Sequence, residues 1–286
     1  MSGYAPVEGV EVKARRWFTT HKGTTNSQGY YSCDGTFKRD ANYSIDWDRH
    51  NFSIRSGTVG QASYNGPKKD GDWNLDIRGD KSQYYAQIFR AAHHYYYKDI
   101  AGLRRPPENE FLKPQMKIAA IYEENGSNGN CLAWRRTLGI LSWIKIWNPQ
   151  HNSEEIYGTV IHELAHASHW DMDHSDFNDT EDKVKESWAR GVQWSLTKMI
   201  YPAYSGGPTK RGEYTQVVVD MIDSSSDINN GSELLTQDNV TGYTIRQIED
   251  ALNGQEKWDG WKNNIKNKYY NETETNLDAL FTYWNN

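Results

Sequence analysis

The five-residue segment His162–His166, with the sequence HELAH, constrains the fold more than any other part of the chain. Two histidines four residues apart lie on one side of an α-helix, about 40° from each other around its axis. Asn152, three residues before Glu155, has the spacing of a helix N-cap and its capping-box partner. The apolar residues of this segment fall on the side opposite the histidines. The pattern therefore predicts an amphipathic helix whose histidines face a cleft rather than the core.

The same segment has the composition of a metal site. Two imidazoles one helical turn apart are a typical pair of zinc ligands, and a carboxylate between them can act on a water molecule at the metal. A solitary histidine is more often a surface or core residue, but chance rarely produces this pair around a glutamate. A purely structural zinc site needs no such carboxylate, because four protein ligands close it. We therefore predict His162 and His166 as ligands of one Zn²⁺ per chain and Glu163 as a catalytic residue.

The segment resembles the active-site helix of the zincin metallopeptidases. The metzincin branch is disfavoured, because His169 and Met172 stand where that branch has a glycine and its third histidine. In the gluzincin branch, a glutamate on the following helix is the third ligand. The resemblance therefore implies that Glu186, twenty residues beyond His166, completes the site. Other side chains near the motif stay open as the third ligand: His169, His174, Asp171 and Asp173.

The gluzincin resemblance implies a zinc-dependent peptidase, a hydrolase of the metalloprotease class. A metal-activated water would hydrolyse the peptide bond of a peptide or protein substrate, with Glu163 as the general base. The predicted strand Gly139–Trp147 resembles in position the edge strand that such enzymes pair with an extended peptide. Some downstream side chains are candidates to stabilise the oxyanion or to support the ligands: His169, His174, Tyr201, Tyr204 and Tyr214.

Two other functions stay open. The chain could be a catalytically degenerate zinc-containing protein that binds glycans or proteins at the cell surface, although an intact Glu163 argues against this. Alternatively, zinc and Glu163 could hydrolyse an amide other than a peptide bond. Serine, cysteine and phosphate-binding chemistry has little support, since the sequence has no Gly-rich phosphate loop, no nucleophile elbow and no catalytic cysteine signature.

Composition narrows the expected partners. The 286-residue chain has a net charge of −6 and no basic run, which disfavours nucleic acid. We find neither a membrane-spanning stretch nor a secretory signal peptide within the chain as given. The 12 tryptophans and 19 tyrosines are consistent with a secreted or cell-surface protein that supplies apolar area through amphipathic rings. Cys33 and Cys131 either form one disulfide or are both unpaired thiols.

The first 78 residues differ in pattern from the rest. Short alternating runs separated by turn residues, such as Val10–Ala14 and Tyr43–Trp47, predict a small antiparallel β-sandwich. Within residues 5–56, a Gly-Val strand, a Thr-rich strand and a Tyr-anchored strand resemble the transthyretin-like, carboxypeptidase-regulatory type of domain. That resemblance implies an accessory module that contacts a cell-surface partner.

We therefore expect a multi-domain protein. Residues 1–78 are predicted to form the all-β sandwich, and residues 79–286 an α+β, mainly helical, zincin-like catalytic domain. Helical periodicity and strand-like runs predict these elements in the second part: helices Lys81–Ile100, Asn152–His166, Thr180–Tyr201, Tyr214–Ser224, Thr244–Asn253, Glu256–Lys268 and Thr275–Trp284, and strands Met116–Tyr122 and Gly139–Trp147.

Overall fold

A computed structural model describes residues 4–111, 114–132, 143–206, 209–210, 212–223 and 239–286. Both sheets and helices occur in this part of the chain, so the protein is mixed α/β. The described residues form two compact units. The first unit is drawn from Met1–Tyr97 and Glu108–Ile156, and the second from Lys98–Pro107 and Tyr157–Asn286.

The first unit contains a four-stranded antiparallel sheet in the order β2-β1-β3-β6. Its strands are β1 Glu11–Arg16, β2 Thr19–Thr24, β3 Ala41–Asp46 and β6 Ser63–Lys69. Alternation places Val12 and Ile45 on the buried face of this sheet, as the sequence pattern predicts. Strand β6 contains Pro67, which an edge strand tolerates because one of its backbone sides pairs with no neighbour.

A second, five-stranded sheet in the first unit has the order β5-β4-β7-β9-β8. Strands β4, β7 and β9 run parallel, and the edge strands β5 and β8 are antiparallel to their neighbours. The strands are β4 Phe52–Ser56, β5 Gly60–Gln61, β7 Met116–Ala120, β8 Gly129–Cys131 and β9 Ile144–Ile146. Helix α1, Asp80–Tyr97, packs against β4 and β7. Phe52 contributes to this core, with its ring 5.1 Å from that of Phe89 and 5.5 Å from that of Tyr96.

The predicted all-β sandwich of residues 1–78 is not confirmed. One antiparallel sheet does come from this segment, but β4 pairs in parallel with β7, which lies beyond residue 79. The compact units accordingly do not divide the chain between residues 78 and 79. Three consecutive buried residues, Phe52 to Ile54, explain the pairing, because a strand buried on both faces suits the interior of a parallel sheet. A separate domain of residues 1–78 stays a prediction.

The predicted strand Gly139–Trp147 is only partly described. Residues 139–142 lie outside the described residues, and Ile144–Ile146 forms β9. β9 is an internal strand between β7 and β8, so the expectation of an edge strand here is wrong. Pairing on both sides leaves β9 no open backbone for an extended peptide. On this side of the sheet, β8 is the edge strand in the described part of the chain.

The second unit is helical where it is described. Its helices are α2 Ser153–Met172, α3 Asp182–Ile200, α4 Val217–Ile222, α5 Ile245–Leu252, α6 Trp258–Lys268 and α7 Leu277–Asn285, with a 3₁₀ turn at Glu274–Asn276. Each predicted helix is present, although its ends differ from the prediction. Helix α2 extends six residues beyond His166, and most of the other helices are shorter than predicted. Ser224 lies outside the described residues. Thr244 and Gln247 form the capping box of α5, and Gly254 follows this helix with a φ of +74°. These local signals set where α5 begins and ends.

Residues 98–107 belong with the second unit because buried polar groups hold them there. The backbone N–H of Arg104 donates to both carboxylate oxygens of Glu249, at 3.1 and 3.0 Å. The hydroxyl of Ser168 on α2 donates to the carbonyl of Arg104 at 3.2 Å. Glu249 and Ser168 are both buried, so losing these hydrogen bonds would leave unsatisfied groups in the core.

Two further predictions concern the chain as a whole. No helix among the described residues is both long and apolar enough to cross a bilayer. Cys33 and Cys131, which are both described, are not joined by a disulfide.

Candidate metal centre

Helix α2 begins as its sequence predicts. Asn152 Oδ1 accepts a hydrogen bond from the backbone N–H of Glu155 at 2.9 Å, and the Glu155 carboxylate accepts one from the backbone N–H of Asn152 at 3.2 Å. This reciprocal pair is the predicted capping box. It starts the helix ten residues before His162 and fixes which residues share the side of that histidine.

Three predicted ligand side chains meet between α2 and α3. The Nε2 atoms of His162 and His166 are 3.1 Å apart. The Oε2 atom of Glu186 lies 3.0 Å from the first of these nitrogens and 3.4 Å from the second. Among the described residues, this is the group of side chains that could hold a metal ion. The structure therefore brings together the two histidines of the motif and the glutamate that the gluzincin resemblance implies.

The spacing of these three atoms fits a tetrahedral metal site. Ligand atoms about 2.0–2.1 Å from a tetrahedral zinc ion lie roughly 3.3–3.4 Å from one another. The observed separations of 3.0 to 3.4 Å are close to that value. Three atoms that each carry a lone pair repel at such distances unless a proton or a cation lies among them. Two imidazoles and one carboxylate suit zinc and several other first-row metals, and they leave a fourth position for a non-protein ligand.

Burial and mutual charge set the protonation of the three donors. Burial lowers the pKa of His162 to about 4, so its ring is neutral and able to bind a metal. Burial also acts to lower the pKa of His166, but the Glu186 carboxylate outweighs burial and the pKa of His166 is raised. The pKa of Glu186 is lowered, because the histidine rings outweigh the effect of its own burial. The Glu186 carboxylate therefore favours a proton on His166, and a metal ion would displace that proton.

Glu163 lies beside the donors rather than among them. It is buried, and burial raises its pKa to about 8, with the Glu186 carboxylate adding to the rise. On α2 it follows His162 directly and precedes His166 by three residues, which places it next to the group without a ligand position. The carboxylate is thus placed to exchange a proton with a molecule bound at the donors.

The donors are less accessible than the amphipathic pattern suggests. His162 and His166 are 9% and 7% exposed, and the opposite face of α2 is buried as well. Burial of both faces of α2 does not follow from the amphipathic pattern, and the expectation that the histidines face a cleft stays a prediction. Glu186 is the most accessible donor, with its side chain 24% exposed.

A chain of hydrogen bonds supports His162 from behind. Its Nδ1 atom lies 3.2 Å from Oε1 of Gln193, and Nε2 of Gln193 donates to the hydroxyl oxygen of Tyr204 at 2.7 Å. Because a carbonyl oxygen can only accept, Gln193 favours a proton on Nδ1 and leaves the lone pair of Nε2 directed at the other donors. Gly158 makes room for this pair, since a Cβ atom there would lie 2.7 Å from the Tyr204 hydroxyl oxygen.

Tyr214 is a downstream aromatic residue whose ring lies near that of His162. Its ring centroid is 6.4 Å from that of His162 and 5.5 Å from the guanidinium carbon of Arg190. Burial raises the pKa of Tyr214, and the carboxylates of Glu186 and Glu163 act in the same direction. Its phenol therefore stays protonated at neutral pH and can donate a hydrogen bond.

The remaining candidates lie outside the donor group. His169 is 2% exposed, packs 5.1 Å from the ring of Phe177, and has no hydrogen-bond partner for either ring nitrogen among the described residues. Burial lowers the pKa of His169 to about 3, with His166 and Lys185 acting in the same direction. His174, Asp171, Asp173, Tyr201 and Tyr204 are likewise not donors of this group. His174 packs on Trp170, Asp173 accepts from the backbone N–H of Gly254, and Tyr201 packs on Tyr157.

Sequence reasoning missed Arg190 and Gln193. Both lie on α3, four and seven residues after Glu186, and this spacing puts all three on one side of a helix. The signal was thus available once Glu186 was chosen as a ligand. The spacing within α3 does not reveal which residue of another helix Gln193 contacts, so its contact with His162 could not be predicted.

Comparison of the chain with protein-family models, with curated proteins and with solved structures found no significant match. The relation to the zincins therefore rests on the residues of the motif and stays a prediction.

Proposed function

We propose that the protein is a zinc-dependent peptidase in which His162, His166 and Glu186 hold the metal and Glu163 is the general base. The observation that carries the proposal is the spacing of the three donor atoms, which is close to that of a tetrahedral site. The carboxyl group of Glu163 lies beside these donors and is not one of them. A structural site would not require Glu163 at that place. A secreted or cell-surface site of action stays part of the proposal.

The zinc ion would supply Lewis acidity towards a carbonyl oxygen and a lowered pKa for water. The charge of a bound zinc ion would lower the pKa of Glu163 again, so that its carboxylate could take a proton from the attacking water and pass it to the leaving amine. The phenol of Tyr214 donates a hydrogen bond to the oxygen on which charge develops. Gln193 acts through His162, because it fixes the tautomer that keeps Nε2 available.

The competing function is a zinc-containing protein that binds glycans or proteins without turnover. One observation favours it, which is that the two imidazoles are more than nine-tenths buried. Hydrolysis of an amide other than a peptide bond is a further candidate, because the same groups would serve it.

Glu163→Gln separates these functions. We expect the variant to retain zinc and to lose hydrolysis by roughly 10²–10⁴-fold in a peptide-library assay, because an amide cannot accept the proton. Glu154→Gln, nine residues earlier on the same helix, is the matched control and should keep full activity. Full turnover in Glu163→Gln would exclude Glu163 as the base. Zinc binding with no hydrolysis by the wild type would favour the binding protein, and cleavage of simple amides alone would favour the third function.

A further inference from the structure

The turn between β1 and β2 exposes two large aromatic side chains. Trp17 and Phe18 are the two residues that connect the paired residues Arg16 and Thr19. They are 78% and 99% exposed. Single apolar residues on a protein surface are common, but two adjacent rings at the end of a hairpin place a large apolar area in water.

The backbone at Trp17 adds to this cost. Its φ is +54°, in the left-handed region where two-residue hairpin turns usually have Gly, Asn or Asp. A residue with a bulky side chain costs about 1–2 kcal/mol in that region. Packing of the Trp17 ring offsets little of this energetic cost, because the ring is exposed. The contact of the ring is with the guanidinium of Arg16, 5.7 Å from its centroid. A tryptophan at this position thus weakens the hairpin without filling the core.

Basic residues lie next to the two rings in the chain and in the neighbouring segment 38–40. Arg15 Nε donates to the carbonyl of Trp17 at 3.3 Å, and Arg16 donates to the carbonyl of Asp40 at 2.8 Å, which places the segment 38–40 next to the turn. That segment adds the exposed side chains of Lys38, Arg39 and Asp40. Within the described part of the chain, none of the four cations forms an ion pair. The turn and segment 38–40 together therefore contribute two exposed rings, four cations and one carboxylate.

We propose that this hairpin turn docks the protein on an anionic phospholipid bilayer. Aromatic rings favour the headgroup region, where their apolar area leaves water, and arginine and lysine side chains bind lipid phosphates. A projecting turn with rings at its end and cations around it suits a fluid, negatively charged interface better than a preformed protein groove. The proposal is independent of the metal centre, because no residue of the second unit takes part.

Co-sedimentation of the full chain with lipid vesicles tests this proposal. We expect binding to vesicles of phosphatidylcholine mixed with phosphatidylglycerol, and much weaker binding to phosphatidylcholine alone. Arg39→Gln should weaken the binding by about fivefold, which corresponds to one cation near the surface. Tyr30→Ser is the matched control, because Tyr30 is an exposed aromatic residue beyond the other end of β2 and should not affect binding.

Trp17→Gly distinguishes docking from a structural role. Glycine relieves the positive φ, so we expect the melting temperature to stay the same or rise while vesicle binding falls by about tenfold or more. A lower melting temperature with unchanged binding would mean that Trp17 serves the fold, and would overturn the proposal. Absence of wild-type binding to anionic vesicles would overturn it too, as would binding only to a protein or polysaccharide.

Discussion

Gln193 contacts the ring nitrogen of His162 that points away from the other donors, with Oε1 and Nδ1 3.2 Å apart. The amide of Gln193 in turn donates to Tyr204 at 2.7 Å, so its orientation is fixed from the other end. Both residues of the first contact are buried, which strengthens it relative to a contact in water. The ring of His162 is thus held in one tautomer and one orientation by the fold itself.

Replacing Gln193 should weaken metal binding. We expect Gln193→Ala to lower the zinc affinity by roughly 10–100-fold, because the Nδ1 proton of His162 loses its acceptor. Competition with a chromophoric chelator measures this affinity. Gln193→Glu retains an acceptor oxygen at the same place and should retain more of the affinity than Gln193→Ala. Equal affinity in wild type and Gln193→Ala would show that the contact does not position the ligand.

Gly158→Ala should affect the metal more than the fold. The added Cβ would lie 2.7 Å from the Tyr204 hydroxyl oxygen and 3.0 Å from Nε2 of Gln193, which are the polar ends of the two side chains behind His162. Those ends must move, while alanine favours the helix by about 1 kcal/mol over glycine. We expect a small change in melting temperature and a clear loss of zinc affinity. Gly126→Ala, where a Cβ meets nothing within 4 Å, is the control. A large loss of stability with unchanged zinc affinity would contradict this account of Gly158.

The beginning of α2 and the three donors were within reach of the sequence because local spacing determines them. The capping box of Asn152 and Glu155 and the pair of histidines are patterns within one helix. The prediction of Glu186 as the third ligand depended on the gluzincin resemblance, because the spacing within α3 alone does not distinguish a ligand from a solvated carboxylate. The partner of β4 was missed because alternation predicts a strand but not the strand with which it pairs, and β7 is about sixty residues away. The contact of Gln193 with His162 was missed for the same reason.

His169 should make the protein sensitive to acid. Its pKa is about 3 in the folded protein and close to 6.5 in an unfolded chain, so the unfolded state binds the proton first as the pH falls. The contribution of neutral, buried His169 to the free energy of unfolding is therefore fully present above about pH 6.5 and is lost as the pH falls towards 3. Between pH 5.5 and pH 4.5, the free energy of unfolding of wild type should fall by about 1 kcal/mol more than that of His169→Leu.

Urea unfolding at a series of pH values, with EDTA in all samples, measures this difference. EDTA removes the contribution of bound metal, so that only protonation changes with pH. His50→Leu, at an exposed position, controls for the loss of a histidine. Parallel pH profiles for wild type and His169→Leu would show that burial of His169 does not contribute to the acid sensitivity.

Metal content tests the central claim most directly. We would measure zinc by inductively coupled plasma mass spectrometry in protein purified without chelator, for wild type, His166→Ala and Glu186→Ala. The account predicts one zinc per chain in the wild type, none in His166→Ala, and a weakly held ion in Glu186→Ala that dialysis removes. A wild type without zinc, even after incubation with excess zinc, would contradict the proposed metal centre. Tight, stoichiometric zinc in Glu186→Ala would contradict the assignment of the third ligand.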